Sequence, residues 1–292
     1  LKPSSRAANI LFHLIPLGIA LSCSAIAAEP DKKTGMTIEE ANQAMANPIT
    51  EYTMFITEND TYKYQGEITD KARNQNITLI EPLIPTSIGD TGWNLINRPV
   101  IPIIRAEIPT DIDPLTGHVD WDQKMALGDI VAFTLVKPPH QGSFQWGAGP
   151  TLTMPTATND ELGSEKWSAG PAAVALYSSP TFSYGALAQH WWSFSGNSDR
   201  EDVSLTNIQY FFTYQFNKRW AFVTAPTISA NWKADSDNVW SVPVSAGLTY
   251  SFFIGKAPAR VVLEPQYFVV QPDDFGAEWN VRLAFAVILP KL

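Results

Sequence analysis

Reactive side chains are few in this chain of 292 residues. Beyond residue 27 the histidines are His118, His140 and His190. A nucleophilic triad or a histidine-based metal site needs several converging groups, and no such convergence can be read here. A strand-borne acyl hydrolase would place a His and a Ser two residues apart, so that both project from one face. Two residues after His190 stands Trp192, and Ser193 falls on the opposite face. His190 therefore reads as an interfacial histidine, not a base. Asp111, Asp113, Asp120 and Asp122 offer carboxylates to a hard cation, but the spacing and glycine of a helix-loop-helix calcium loop are missing. They read as a solvated acidic loop, or one bridged by divalent ions to lipopolysaccharide phosphates. Asp199, Glu201, Asp202, Asp235, Asp237, Asp273 and Asp274 extend this acidic rim. No catalytic residue, metal site or cofactor is expected.

The remaining candidates are charges that could line a passage: Glu81, Arg98, Glu264 and Arg282, with Gln266 and Asn280 beside the last two. Charges on a lumen wall set which solutes pass. Antiparallel pairing about a midpoint near Asp273 sets Glu264 against Arg282, with Gln266 and Asn280 one step nearer the connection. Glu81 and Arg98 flank the connection 85–92 in a comparable hairpin. Such residues need elements that aim them into one interior.

Period-two alternation supplies those elements. From Trp240 to Phe252, Trp240, Val242, Val244, Ala246, Leu248, Tyr250 and Phe252 share one face, and Ser241, Pro243, Ser245, Gly247, Thr249 and Ser251 share the other. About twelve such segments are read: 48–57, 75–84, 93–104, 128–137, 143–154, 167–178, 182–194, 203–216, 219–233, 240–253, 259–270 and 278–289. Many run ten to fifteen residues, the length of a tilted membrane strand. Short connections at 138–142, 178–180, 217–218 and 254–258 alternate with longer acidic ones at 105–127, 155–166, 195–202, 234–239 and 271–277. One end then carries tight turns and the other loops, as in outer-membrane barrels. The fold class expected is all-β: a transmembrane antiparallel β-barrel of about 12 strands with a short N-terminal arm or helix.

Charge and tryptophan placement agree. Lys233, Arg260, Glu264 and Arg282 all fall on the polar face, sparing the lipid face a cost of about 2–4 kcal/mol for a mid-membrane Arg or Lys. Trp93 and Trp220 start strands at the turn end, while Trp167, Trp192, Trp232, Trp240 and Trp279 lie near the loop end, giving two aromatic girdles. Pro150, Pro171, Pro226, Pro243 and Pro265 lie inside the strands, where a missing N–H implies bulges or kinks. In 182–194, Leu187 and Trp191 fall on the nominally polar inner face.

Composition sets the outer limits. With 45% hydrophobic and 12% aromatic residues and a single cysteine, the chain is neither a disulfide scaffold nor disordered. Twenty Lys+Arg against 29 Asp+Glu give a net charge of -9, which excludes a nucleic-acid partner held by phosphate contacts. At the N-terminus, Lys2 and Arg6 precede the apolar run Ile10 to Ala20, and Ala25-Ile26-Ala27 follows. This is the layout of a secretory signal peptide, residues 1–27, which would carry off Cys23. Residues 28–46 form an arm, plugging the barrel or lying in the periplasm, with Thr37 and Glu40 as a capping box for a helix ending before Asn47-Pro48. Residues 47–292 form the barrel.

Several blocks also resemble a known family. They are Ile80-Glu-Pro-Leu-Ile-Pro85, Trp93-Asn-Leu-Ile-Asn-Arg-Pro-Val-Ile-Pro102, Trp146-Gly-Ala-Gly-Pro-Thr-Leu-Thr-Met-Pro-Thr-Ala-Thr158 and Lys166-Trp-Ser-Ala-Gly-Pro171. Trp192 to Arg200, Ala230 to Ser236 and Trp279-Asn-Val-Arg-Leu belong with them. In order and over residues 47–290, they resemble the bacterial envelope family labelled "MetA-pathway of phenol degradation", whose members are often misnamed neuromedin U or transporter. The resemblance implies an outer-membrane β-barrel that transports small compounds, hydrophobic ones among them. The arm 31–46 and the loop 105–127 match less well.

The function expected is thus an outer-membrane channel or substrate-specific diffusion protein for small hydrophobic or aromatic compounds, not an enzyme. Its partners would be a small-molecule solute, outer-membrane lipid with lipopolysaccharide, and the barrel-assembly machinery. A barrel enzyme acting on lipid and a structural or adhesive surface barrel are the alternatives.

Overall fold

The computed structural model describes residues 36–69, 71–112, 119–139 and 142–289. The signal-peptide reading of 1–27, Asp113, His118 and His140 lie outside the described residues.

The alternating segments build one closed antiparallel barrel of twelve staves, with 66% of the described residues in strands. Eight staves are single strands: β1 (Met54–Gln65), β4 (Asn94–Ile112), β7 (Phe144–Met154), β8 (Lys166–Ser178), β9 (Phe182–Gly196), β10 (Ser204–Gln215), β15 (Ala257–Val270) and β16 (Gly276–Ile288). The other four are each broken in two: β2 (Arg73–Ile80) with β3 (Ile84–Ser87), β5 (Val119–Leu127) with β6 (Ile130–Lys137), β11 (Trp220–Thr224) with β12 (Thr227–Asn231), and β13 (Trp240–Ser245) with β14 (Gly247–Ile254). Closure comes from β16 pairing back onto β1, from Met54↔Ile288 to Gln65↔Gly276. A closed sheet leaves no edge unsatisfied in lipid. Large apolar side chains point outward, among them Leu248, Leu263, Tyr267, Val269 and Leu283, each about half exposed. The girdle tryptophans Trp93, Trp220, Trp167, Trp192, Trp232, Trp240 and Trp279 are all exposed on the outer surface.

Four expectations are corrected. The first strand is Met54–Gln65, not 48–57, because Glu58 and Asp60 are inward polar residues that continue the strand without an apolar stripe. The segment 105–127 is not a loop: β4 runs on to Ile112 and pairs with β5 as a long hairpin beyond the end of β7. Pro150 and Pro171 make no bulge between their own strands. They face each other across the β7–β8 ladder, and each only interrupts pairing on its far side, where β6–β7 and β8–β9 resume in unchanged register. Lys233 lies past the end of β12 and is exposed, so it is not a barrel-interior charge. Pro243, by contrast, sits at a register shift, and Pro226 falls in the break between β11 and β12.

The helix α1 (Ile38–Met45) has the capping box, with Thr37 Oγ1 accepting from the Glu40 amide and Glu40 returning the bond. Its buried face meets inward side chains of the turn-end half of the barrel. Ala41, Ala44, Met45 and Ile49 pack with Leu83, Ile96, Leu135, Val174, Leu187 and Ile288 in one apolar cluster. Leu187 breaks the polar pattern of β9 because it is a contact of this cluster. Trp191 turns inward as well and donates from Nε1 to Thr151 Oγ1 at 3.0 Å.

Candidate functional site

Inward residues of the staves stack in layers along the barrel. Nearest the loop end is an aromatic cluster of Tyr62, Tyr64, Phe268 and Phe275, with Tyr64 and Phe275 stacked at 4.9 Å between ring centres. Below it lies a layer of charge. The apolar cluster around α1 closes the layer beneath.

All six residues picked from the sequence are turned inward. Glu264 faces Arg282 and Gln266 faces Asn280 in the β15–β16 ladder, in the expected register. Glu264 is 1% exposed and Asn280 fully buried, so these side chains must find partners inside the protein. Arg282 Nη1 lies 3.7 Å from Glu264 Oε2, while its Nε lies 3.0 Å from Glu58 Oε1 and 3.2 Å from Asp60 Oδ1. One guanidinium thus serves three carboxylates. Asn280 Nδ2 donates to Asp60 Oδ1 at 2.5 Å. Arg98 Nε donates to Glu81 Oε2 at 2.7 Å, forming a second, separate pair beside the break between β2 and β3.

Glu58 and Asp60 lie beyond the first strand expected from the sequence, 48–57, and so stand outside the candidates it offers. Their signal was present: Glu58, Asp60, Tyr62 and Tyr64 keep one spacing of two, and all four prove inward.

The wall beside this layer is irregular. Between Val223↔Gly247 and Ser229↔Ser241 no ladder pairs join β11–β12 to β13–β14. Side chains hold the seam instead: Thr224 Oγ1 and Ser245 Oγ lie 2.8 Å apart, and Tyr210 Oη donates to the Pro243 carbonyl at 3.0 Å. Ser245 Oγ donates to Glu264 Oε1 at 2.5 Å. Next to the seam is a cavity of about 630 Å³. It opens on the outer face, lined by outward Val244, Ala246, Pro265, Tyr267 and Trp279 over the strand positions of Gln266 and Asn280.

Among the described residues, no histidine and serine pair as base and nucleophile on β9. His190 Nδ1 bonds Thr206 Oγ1 at 2.7 Å, whereas Ser193 Oγ donates to Asp202 at 3.1 Å, so histidine and serine do not meet. In the acidic hairpin, Asp111 and Asp120 are ladder partners and Asp122 is paired with Lys124 at 2.6 Å. Among the described residues no group of three metal-ligating side chains converges.

The fold matches that of an outer-membrane channel from Pseudomonas putida F1, with a TM-score of 0.61 at 12% identity, over 90% of this chain and 100% of that one. At that identity the match establishes a shared fold, that of an outer-membrane barrel. The NanC porin matches with a TM-score of 0.46 at 12% identity, over 80% of this chain and 100% of that one. The Ralstonia pickettii toluene transporter TbuX matches with a TM-score of 0.44 at 9% identity, over 85% of this chain and 93% of that one. Likeness of that degree carries no weight for cargo. No family model matches the chain, and no curated protein does.

Proposed function

We propose that the chain is an outer-membrane channel for small hydrophobic or aromatic compounds, and that it belongs to the MetA-pathway envelope family its sequence blocks resemble. The observation that carries this reading is the open recess in the wall beside the unpaired seam, above the apolar cluster around α1. A route for water and ions along the axis would have to pass the charge layer and then the apolar cluster around α1. In this reading an apolar solute leaves instead through the wall beside the seam, before the plug, and passes into the bilayer there. The pairs Glu81–Arg98 and Glu264–Arg282 would then form the electrostatic constriction that screens polar solutes from the axis.

The accompanying placement follows from the same reading. Residues 1–27 serve as the export signal, 28–46 as the plug and 47–292 as the barrel, delivered to the outer membrane by the assembly machinery. The acidic rim contacts lipopolysaccharide.

Uptake decides it. Gram-negative cells exporting the full chain should take up radiolabelled p-xylene faster than the parent strain, while uptake of a disaccharide stays at the parental rate. Ala246→Trp, which fills the cavity mouth, should reduce the p-xylene gain. Equal p-xylene uptake with and without the chain removes the proposal.

A further inference from the structure

Two side chains of the long β4–β5 hairpin reach into the aromatic cluster at the loop end. Glu107↔Gln123 and Pro109↔Trp121 are successive pairs on one face of that hairpin, so Glu107 and Trp121 project together. Glu107 Oε2 accepts from Arg73 Nη1 at 3.1 Å. The Trp121 ring lies 4.4 Å from the same guanidinium and 5.5 Å, centre to centre, from the ring of Phe275, which stacks on Tyr64. β16 begins just after Phe275 and is followed round the wall by β1, β2, β4 and only then β5, so this contact crosses the mouth of the barrel. Among the described residues, the hairpin past Ala106 pairs with no other strand, and its register slips between Pro109 and Asp111. Arg73 and Phe275 are buried, whereas Glu107 and Trp121 are half-buried. The wall therefore supplies a guanidinium and a phenyl floor, and the hairpin lays a carboxylate and an aromatic ring on them.

We infer that Arg73, Tyr64 and Phe275 form a binding site for a small aromatic carboxylate, and that Glu107 and Trp121 are tethered stand-ins which occupy it when the mouth is closed. The incoming carboxylate replaces that of Glu107 on Arg73, and its ring replaces the indole against Phe275. The hairpin tip lifts as the two are exchanged. An aromatic hydrocarbon takes over the ring contacts but gives Arg73 nothing in exchange for Glu107, and a buried cation that loses its counter-charge is costly. An aliphatic acid restores the charge but forgoes the contacts of one ring with another and with the guanidinium. The site therefore selects molecules that carry both groups. This adds to the channel reading a ligand that opens the mouth, and its test does not depend on that reading, because binding is measured without transport.

The experiment is isothermal titration of the full chain in lipid nanodiscs, with empty nanodiscs subtracted. The ligands are indole-3-acetate, indole and cyclohexaneacetate at about pH 7, where both acids are ionised. Indole-3-acetate should bind about tenfold tighter than either of the others. In Trp121→Ala, which removes the stand-in ring, its affinity should rise about tenfold further, because the closed state that competes with it is weakened. Glu107→Gln should raise it as well, and this variant keeps the indole and with it the packing of the mouth. Arg73→Gln in the Trp121→Ala background should lower indole-3-acetate to the affinity of indole. If Trp121 and Glu107 merely pack the mouth, neither single variant gains affinity, and that result overturns the site. Equal affinities for the three ligands, absence of binding in both single variants, or a preference for indole-3-acetate that survives Arg73→Gln would overturn it too. p-Xylene uptake that persists beside such a result would leave the channel standing without this site.

Discussion

Arg282 supplies the ladder partner that Ala225 lacks. Its Nη1 donates to the Ala225 carbonyl at 2.9 Å, and Glu264 Oε1 accepts from the Ala225 amide at 2.6 Å. Ala225 precedes Pro226 in the break between β11 and β12, where neither neighbouring stave pairs with it. Buried backbone groups need partners, and in this barrel two facing charged side chains provide them. The ion pair is therefore also a backbone clamp at the weakest seam of the wall.

Arg282→Ala is expected to destabilise the folded barrel by about 3–5 kcal/mol, the cost of leaving buried charge without its counter-charge. Urea unfolding in lipid vesicles measures this. Arg282→Met combined with Glu264→Gln should recover part of the loss, because it removes one of the stranded carboxylates. In the fraction of Arg282→Ala that folds and conducts, ion selectivity should move toward cations. Unchanged selectivity would take the pair out of the permeation path.

Val244 and Ser245 are neighbours on β13 with opposite outlooks: Val244 is 45% exposed on the outer face, and Ser245 bonds Glu264 inside. Val244→Arg should cost about 2–4 kcal/mol of folding stability, and Ser245→Arg clearly less, since a cation there meets carboxylates. Equal refolding yields would contradict the facing of this strand.

Strand existence, register and facing were legible in the sequence wherever an apolar stripe faced lipid. Glu264↔Arg282 followed from simple counting back from Asp273 because no bulge intervenes between them. Glu58 and Asp60 were legible only through their spacing of two with Tyr62 and Tyr64, since β1 has a polar inner face without a clear outer stripe to mark it as a strand. The breaks at Ala225-Pro226 and Ala246 were hidden for another reason. Pro226 flags a missing donor, but only the facing of distant residues 264 and 282 shows how the gap is bridged. The wall cavity depends on three staves meeting, and no local pattern encodes that.

Asp202, in the loop after β9, accepts hydrogen bonds from Lys166 at 3.3 Å and Ser193 at 3.1 Å, and these hold its carboxyl below the ordinary aspartate range. A depressed value in the folded state means the tether is present at neutral pH. It is lost only as pH falls below the ordinary range and through the depressed one. Protection of the amides in residues 197–203, measured as exchange relative to the unstructured rate at each pH, should therefore hold down to mildly acidic pH and drop below it. In Asp202→Asn the acid-induced step should vanish. A step of the same size in that variant would assign the transition to another group.

The plug should yield to the loss of one half-buried cation. Arg260 Nη2 donates to the Met45 carbonyl at 2.6 Å, at the C-terminal end of α1, where unpaired carbonyls and the helix dipole favour positive charge. Asn42 adds a bond to the Lys218 carbonyl at 2.9 Å, and the apolar cluster supplies the rest of the hold. Arg260→Ala removes the charge and leaves a buried carbonyl without its donor, so the end of α1 should detach more often than in the native chain. Planar-bilayer recordings should then show more frequent and larger open events. Lys218→Ala is the control: its pair with Glu39 spans 2.9 Å but is solvent-exposed on both sides, and exposed pairs contribute about 0–1 kcal/mol. It should leave the recordings unchanged. If Arg260→Ala conducts like the native chain while retaining heat-modifiable migration, α1 is held by its apolar face alone and the arginine is only a packing residue.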